Sequence, residues 1–483
     1  MARIIRGAAL AGVIIAAVPG CRTAGSASPN TPAPAAHPDS AHGKRFTDTL
    51  SFDRAQYPST YQRRPSPPIL IRNATILTAT GTEIANGSIL LQDGKIVSLG
   101  TSITAPSNAV VVDGTGKFVT PGIIDTHSHL GVYAAPGTFA ESNGNEATSP
   151  VTSQVWAEHS IWPQDPQFPL AQAAGVTTIE VLPGSANLIG GRSVTIHLVP
   201  ARTVQEMKFP GAPYSLKMAC GENPMRVYGS RGGAPSTRMG NMAGYRAAFI
   251  SAERYRNRWD HWLTTREGDP PDRDLQMETL AEVLRGHILV QNHCYRADEM
   301  AQMLDLAREF GFHIRSFHHA VEGYKIGDML ARDHVAVSVW ADWWGFKMEA
   351  FDGIQQNAAL VQQAGGTVAV HSDSENGIQR LNQEAAKAMY AGRRAGIPIT
   401  RDQALRWITA NPAWVIGLDS LIGTLEPGKN ADLVVWSGDP FSVYSRAEQV
   451  YIDGALMYDR GNPSTWWRTD FELGNEPVPG RDR

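Results

Sequence analysis

The sequence predicts an α/β protein: a (β/α)8 TIM barrel with a small β-sandwich domain built from both chain ends. Three observations lead to this prediction. Short apolar strands alternate with amphipathic helices through the middle of the chain, and polar residues that can bind a metal follow several of these strands. Similar β-rich segments, each with an Asp-Gly turn, lie on either side of that middle part.

Length and composition fit this architecture. The chain has 483 residues, which suits one large barrel and a small partner domain. Hydrophobic residues make up 42% of it and charged residues 19%, so it can bury a large core and is neither disordered nor fibrous. The formal net charge is −4, so the chain lacks the excess of basic residues that nucleic-acid binding requires, which argues against nucleic acid as a partner.

The first residues indicate export. Residues 1–21 combine an arginine-containing start with a short apolar run and are typical of a signal peptide. The run ends at Cys21, which resembles the lipidated cysteine of a bacterial lipoprotein. We therefore expect either an envelope protein facing the periplasm, held to the membrane only by a lipid at Cys21, or a secreted protein. Residues 22–66 are rich in Ser, Ala, Pro and Thr and predict a flexible linker.

Two β-rich segments flank the middle of the chain. Residues 67–120 contain alternating apolar runs joined by Asp93-Gly94, a strong hairpin signal. Residues 419–465 repeat this pattern, and residues 466–483 form a tail. The simplest arrangement is one sandwich domain that both ends share.

The middle, residues 121–418, alternates strands and helices, as in parallel βα units. This alternation alone fits a barrel and a doubly wound sheet equally well. The residues at the strand ends favour the barrel, because catalytic groups of barrel enzymes follow the carboxyl ends of several strands. Here these are His127 and His129, which point the same way in one strand, then His293, His319 and Asp373. We assign His318 and His371 to packing or to support of these ligands.

The motif PGIIDTHSH, residues 121–129, resembles the first-strand metal motif of the amidohydrolase superfamily. His293, His319 and Asp373 follow in the order that this superfamily uses for strands five, six and eight. Residues 411–440 are similar to its C-terminal segment, and other segments resemble its imidazolonepropionase-related branch. The resemblance covers residues 69–460 and implies a divalent metal centre, with zinc as the expected ion and one or two ions bound.

The resemblance also implies a fourth-strand ligand. Lys217 stands where many members carry a lysine whose amine reacts with CO₂, and this carboxylated lysine bridges two metals. Glu222 is the alternative bridging ligand, and a mononuclear site with neither residue is the third option. Arg192, Tyr295 and Arg296 are candidate contacts for a substrate, the arginines because a guanidinium binds a carboxylate in bidentate fashion.

The expected activity is hydrolysis of a C–N bond in a small molecule, such as an amide, a cyclic amide or a dipeptide, by a metal-activated water. Asp373 is the expected catalytic residue, which takes the proton of the water and passes it to the leaving group. A mononuclear deaminase on the same fold and an exported binding protein without catalysis are the alternatives. The sequence leaves open whether the chain forms a homo-oligomer. Cys220 and Cys294 can form one disulfide, but we expect two small buried residues.

Overall fold

The computed structural model describes residues 57–343 and 345–470. The predicted signal peptide, most of the predicted linker, Cys21 and residues 471–483 lie outside this part of the chain. No helix in the described ranges is both long enough and apolar enough to cross a membrane.

Seventeen strands form the sheets of the described chain. They are β1 Ile69–Leu77, β2 Glu83–Gln92, β3 Lys95–Gly100, β4 Val110–Asp113, β5 Phe118–Pro121, β6 Ile123–Ser128, β7 Val176–Val181, β8 Ile189–Arg192, β9 Val194–His197, β10 Ser215–Ala219, β11 Leu289–Cys294, β12 Ser316–His319, β13 Ala336–Val339, β14 Val368–Val370, β15 Leu433–Trp436, β16 Ala447–Ile452 and β17 Ala455–Asp459.

Ten α-helices accompany these strands in the described ranges. They are α1 Gln167–Ala173, α2 Glu222–Gly229, α3 Arg238–Thr265, α4 Leu275–Leu284, α5 Ala297–Phe310, α6 Gly327–Arg332, α7 Asn357–Gln363, α8 Leu381–Arg394, α9 Arg401–Arg406 and α10 Ala410–Val415. From β10 onward a helix separates each strand from the next until β14, which confirms the predicted βα alternation and the α/β class.

The strands near the two chain ends pair in one eight-stranded sheet. Its order is β17-β16-β15-β5-β1-β2-β3, with β4 also paired to β1. Both predicted hairpin turns are present: Asp93-Gly94 joins β2 to β3 and Asp453-Gly454 joins β16 to β17, each with positive φ angles at both residues. The two chain ends therefore share one sheet, and its assignment to a sandwich stays a prediction.

The strands of the middle part fall into two sheets. The larger runs β14-β13-β12-β11-β10-β8, and its strands β10 to β14 are parallel to one another. The smaller runs β6-β7-β9, with β6 and β7 parallel. Because these hydrogen bonds leave two separate sheets, a closed eight-stranded barrel remains a prediction. The parallel strands nevertheless bring their carboxyl ends to one edge of the larger sheet.

Candidate metal centre

Histidines from three strands meet beyond the carboxyl ends of the parallel strands. His127 belongs to β6, His293 to β11, and His318 and His319 to β12. Ladder pairing places His293 beside His318 on the neighbouring strand. His371 and Asp373 follow β14 directly and complete the cluster, in which all five imidazoles are buried.

His127, His129 and Asp373 form a first group of ligand-type atoms. The Oδ1 of Asp373 lies 3.5 Å from Nε2 of His127 and 3.3 Å from Nε2 of His129. The Nδ1 of His129 lies 2.9 Å from the Leu182 carbonyl oxygen, and Nδ1 of His127 lies 2.9 Å from Nδ1 of His318. These contacts leave the Nε2 atoms of both rings directed at the carboxylate, an arrangement that can hold one divalent ion.

His127, His319 and His371 form a second group, whose ligand atoms all lie within 4.8 Å of one another. The sequence assigns His371 to packing or to support of the ligands, and the structure brings its imidazole into this group. No sequence signal pointed to this group, because His371 lies beyond the end of β14 and the positive φ of Asp373 breaks the alternation of an extended strand. His293 is close to this group, with its ring centroid 4.5 Å from that of His319, but its nitrogens are in neither group.

Burial controls the protonation of the cluster. It lowers the pKa of His127, His293 and His319 well below the ordinary range, so these imidazoles are neutral, as metal ligands must be. Burial also acts to raise the pKa of Asp373, but its hydrogen bond with His129 and the cationic neighbours outweigh this effect. The pKa of Asp373 is therefore lowered, and its carboxylate is ionised.

Lys217 reaches this cluster from β10. Its Nζ lies 3.4 Å from Nε2 of His127 and donates a 3.0 Å hydrogen bond to the Pro183 carbonyl. Burial lowers its pKa to about 8, although Asp373 and Glu180 act in the opposite direction. Glu222 begins α2 instead, with its Oε1 3.7 Å from Nζ of Lys347, so the structure brings Lys217 rather than Glu222 to the histidines.

The backbone is unusual at two of these residues. His319 has a φ angle of 71° and Asp373 one of 48°, both in the left-handed region that non-glycine residues seldom adopt. Asp373 is held there by a hydrogen bond from its backbone N–H to the His127 carbonyl. Residues in such conformations occur often at functional sites, where the surrounding structure compensates for their cost.

The three predicted substrate contacts lie in different places. Tyr295 is buried beside the cluster, with its ring 4.9 Å from that of His293 and 5.1 Å from that of His319. Arg296 is half-exposed and pairs with Asp298. Arg192 is buried against Trp156 and hydrogen-bonds to Thr279, and none of these contacts belongs to the histidine cluster.

The two cysteines are bonded to each other. Cys220 follows β10 and Cys294 ends β11, and a disulfide joins them across a Cα–Cα distance of 5.2 Å. The expectation of two free buried cysteines was wrong, since the parallel pairing of β10 with β11 places their ends side by side. The bond lies three residues from Lys217 and one residue from His293.

The residues of the cluster fit a divalent metal. Both ring nitrogens of His293 and Nδ1 of His319 are buried and have no hydrogen-bond partner within the described ranges. Unpartnered buried polar atoms are costly, and neutral imidazole with carboxylate is the donor set that zinc and similar ions take in proteins. A polar cavity of about 480 Å³ is lined by residues that include Asn145, Glu146 and Pro183, and the Pro183 carbonyl accepts the hydrogen bond from Lys217.

The fold and this cluster are of the kind found in metal-dependent hydrolases, and comparison with known proteins gives the family. The structure resembles the crystal structure of an amidohydrolase from Thermotoga maritima MSB8, with a TM-score of 0.76 and 38% sequence identity over 81% of this chain and 100% of that one. Residues 296–458 match the model of the amidohydrolase family. The chain belongs to this family, which confirms the predicted superfamily and class of enzyme.

Other relatives extend the comparison. The chain is 33% identical over 432 residues to amidohydrolase tasK from Hapsidospora irregularis, an alignment that covers 81% of this chain and 43% of that protein. The chain thus spans less than half of that relative. It is also 24% identical over 429 residues to an imidazolonepropionase from Mesorhizobium japonicum, over 79% of this chain and 94% of the relative.

Proposed function

We propose that this protein is a metal-dependent hydrolase that cleaves a C–N bond of a small amide, cyclic amide or dipeptide-like substrate. The observation that carries the proposal is the convergence of His127, His129 and Asp373 around one point, with Nζ of Lys217 3.4 Å from His127. The proposal includes a closed (β/α)8 barrel with a terminal β-sandwich. Zinc is the expected ion, because neutral imidazoles dominate the donor set.

His127, His129 and Asp373 would hold one ion, and His293 and His319 would hold a second or polarise the substrate carbonyl. A divalent ion held there would lower the pKa of a bound water to about 7 and so supply a nucleophile at neutral pH. Asp373 accepts the proton of the attacking water as the C–O bond forms. It then gives this proton to the nitrogen as the C–N bond breaks.

Lys217 has the properties of an amine that combines with CO₂. Its burial lowers its pKa to about 8, so the neutral amine, which is the form that reacts, is more abundant near neutral pH than in an ordinary lysine. Addition of CO₂ with loss of one proton gives a carbamate, whose negative charge would offset that of two cations. Retention of two ions only in the presence of bicarbonate would support this modification.

We further propose that the protein is exported. The disulfide between Cys220 and Cys294 supports this, because such bonds persist in oxidising compartments. The signal-like N-terminal sequence agrees with it. A lipid at Cys21 stays a prediction about residues outside the described ranges, and fractionation of cells with mass analysis of the mature N-terminus would test it.

Asp373→Asn tests the catalytic role. The variant should retain most of its metal and lose about 10²–10⁴-fold in turnover, because the proton relay is gone. The assay compares metal-replete wild type and variant on N-acyl amino acids, dipeptides and cyclic imides, with metal content measured in the same samples. Asp305→Asn, an exposed aspartate on α5, is the matched control and should leave turnover unchanged.

Two outcomes would contradict the proposal. Asp373→Asn with wild-type turnover would remove Asp373 from the reaction. Wild-type protein that binds metal but releases only ammonia from a ring substrate would instead favour the deaminase alternative.

His127→Ala combined with His129→Ala should bind no metal at the first group, which direct metal analysis checks.

A further inference from the structure

A cavity of about 440 Å³ lies between the terminal sheet and two helices of the middle part. Helices α1 and α8 contribute residues to one wall, strands β15, β16 and β17 to the other, and the residues after β17 complete the lining. None of the described lining residues belongs to either group of ligand-type atoms in the histidine cluster. A volume of this size is typical of cavities that hold a small molecule. The cavity is therefore a candidate for a second binding site, separate from the metal centre.

Aromatic rings form much of the cavity wall. They belong to Trp436, Tyr458, Trp466 and Trp467. The Nε1–H of Trp436 donates a 2.9 Å hydrogen bond to Oγ1 of Thr120, and that of Trp466 donates a 2.8 Å bond to the Asp459 carbonyl. Because the polar groups of these two indoles are already used, the rings offer a ligand apolar surface. Such walls favour a ligand with an aromatic or aliphatic body.

Two arginines give the cavity a positive charge. Nη1 of Arg446 donates hydrogen bonds to the carbonyls of Val443 and Ser445. Nε of Arg460 donates one to the carbonyl of Ala447. Neither guanidinium pairs with a carboxylate in the described part of the chain, and no Asp or Glu is among the described lining residues. The main-chain contacts therefore hold both side chains while other N–H groups of each guanidinium stay available to an anion.

Thr469 adds a buried hydroxyl to the same cavity. Its side chain lines the cavity, the residue is only 1% exposed, and its Oγ1 has no hydrogen-bond partner among the described residues. A buried hydroxyl without a partner is costly, so a ligand that bonds to it would remove this cost. A carboxylate accepts hydrogen bonds from a hydroxyl as well as from a guanidinium.

We propose that this cavity binds a small organic carboxylate with an aromatic or aliphatic body. The aromatic wall packs against the body, and Arg446 and Arg460 donate N–H groups to the carboxylate, for which a guanidinium is well suited. Thr469 donates its hydroxyl to the same group or to a polar atom of the body. This site goes beyond the proposed hydrolysis and does not depend on it.

Two probes of the same shape test the charge requirement. 4-Phenylbutyrate joins a carboxylate to an aromatic body, and 4-phenylbutanol is its uncharged counterpart. Titration calorimetry on the full chain with its metal should show binding of phenylbutyrate at least about 10-fold tighter than that of the alcohol, because only the carboxylate accepts charge-assisted hydrogen bonds. This binding should persist after the metal is removed, since the cavity shares no residue with the metal centre.

Variants locate the binding. Arg446→Gln combined with Arg460→Gln should weaken phenylbutyrate by more than about 10-fold and leave the affinity for phenylbutanol unchanged. Arg254→Gln, at an exposed arginine on α3, is the control and should bind both probes as wild type does. Ala173→Leu adds volume to the cavity wall and keeps both arginines, so it should weaken both probes and provides a second test if the arginine variant fails to fold.

Several results would overturn the proposal. They are equal affinities for the two probes in wild type, no binding of phenylbutyrate at millimolar concentration, wild-type affinity in the arginine or Ala173→Leu variant, and loss of binding with the metal. Binding that appears only after deletion of residues 471–483 would assign the cavity to the chain's own C-terminal segment. Binding that disappears as the chains associate would assign it to a second copy, and either result would also overturn the proposal.

Discussion

His197 shows how burial acts on a single residue away from the metal centre. Its ring is fully buried in β9, stacked against Phe209 and next to Tyr61. Burial lowers its pKa to about 4, and only the charge of Asp453, 3.9 Å away, acts in the opposite direction. The folded protein therefore holds His197 neutral at pH values where the unfolded chain protonates it.

This difference predicts a pH-dependent stability. Above pH 6.5, the ordinary pKa of histidine, His197 is neutral in both states and the folded protein keeps its full stability. As the pH falls from there to about 4, the unfolded chain binds a proton that the folded protein does not, so the free energy of unfolding decreases. The gap between the two pKa values corresponds to about 3 kcal/mol. In His197→Leu, the free energy of unfolding should fall less steeply over this range than in wild type, as urea denaturation at a series of pH values will show.

A control separates this effect from general acid sensitivity. His261 is an exposed histidine on α3, so His261→Gln should leave the wild-type slope unchanged. Any loss of metal at low pH would affect all three proteins alike and would cancel in the comparison. A slope in His197→Leu equal to that of wild type would show that His197 titrates normally in the folded protein.

Strand geometry predicts which ligand-type residues share a face only as far as the strand extends. His127 and His129 alternate along β6 and its end, so their common direction follows from the sequence. His371 lies beyond the last residue of β14, and Asp373 adopts a positive φ, so simple alternation no longer describes this segment. Only the folded backbone brings His371 beside His319.

At the level of elements, local signals predicted more than long-range pairing did. The Asp93-Gly94 turn and its two strands follow from nearest-neighbour chemistry, since both turn residues tolerate positive φ. The pairing of β10 with β11 links residues that lie 74 positions apart at their cysteines, and no local pattern encodes such a contact. The disulfide was missed for the same reason.

The disulfide should stabilise these two strand ends. In the chain-entropy description, closing a loop of this length raises the free energy of the unfolded chain by about 4 kcal/mol. Replacing both Cys220 and Cys294 with serine should therefore lower the denaturation midpoint of the protein under non-reducing conditions. Wild type treated with a reductant is the matched comparison, and its midpoint should approach that of the double variant. Equal midpoints for oxidised wild type and the double variant would contradict this role.

At the scale of the whole molecule, one strand joins two hydrophobic cores. Val434 and Trp436 of β15 point into the large core that also contains the strands of the middle part. Leu433 and Val435, the alternate residues, belong to a smaller core of the terminal sheet. Because β15 pairs with β5, which directly precedes β6, the C-terminal strands support the segment that carries His127.

Trp436 provides a test of how β15 couples the two hydrophobic cores. Its ring is buried and its Nε1–H donates a 2.9 Å hydrogen bond to Oγ1 of Thr120 in β5, so Trp436→Ala removes a large apolar contact and a buried partner together. We expect a loss of about 3–5 kcal/mol in the free energy of unfolding, with a single transition in calorimetry. Tyr444→Ala, at an exposed aromatic residue, should change stability by less than about 0.5 kcal/mol. Two separate transitions in wild type, or a loss below about 1 kcal/mol in Trp436→Ala, would show that the terminal sheet folds independently of the part that holds the histidines.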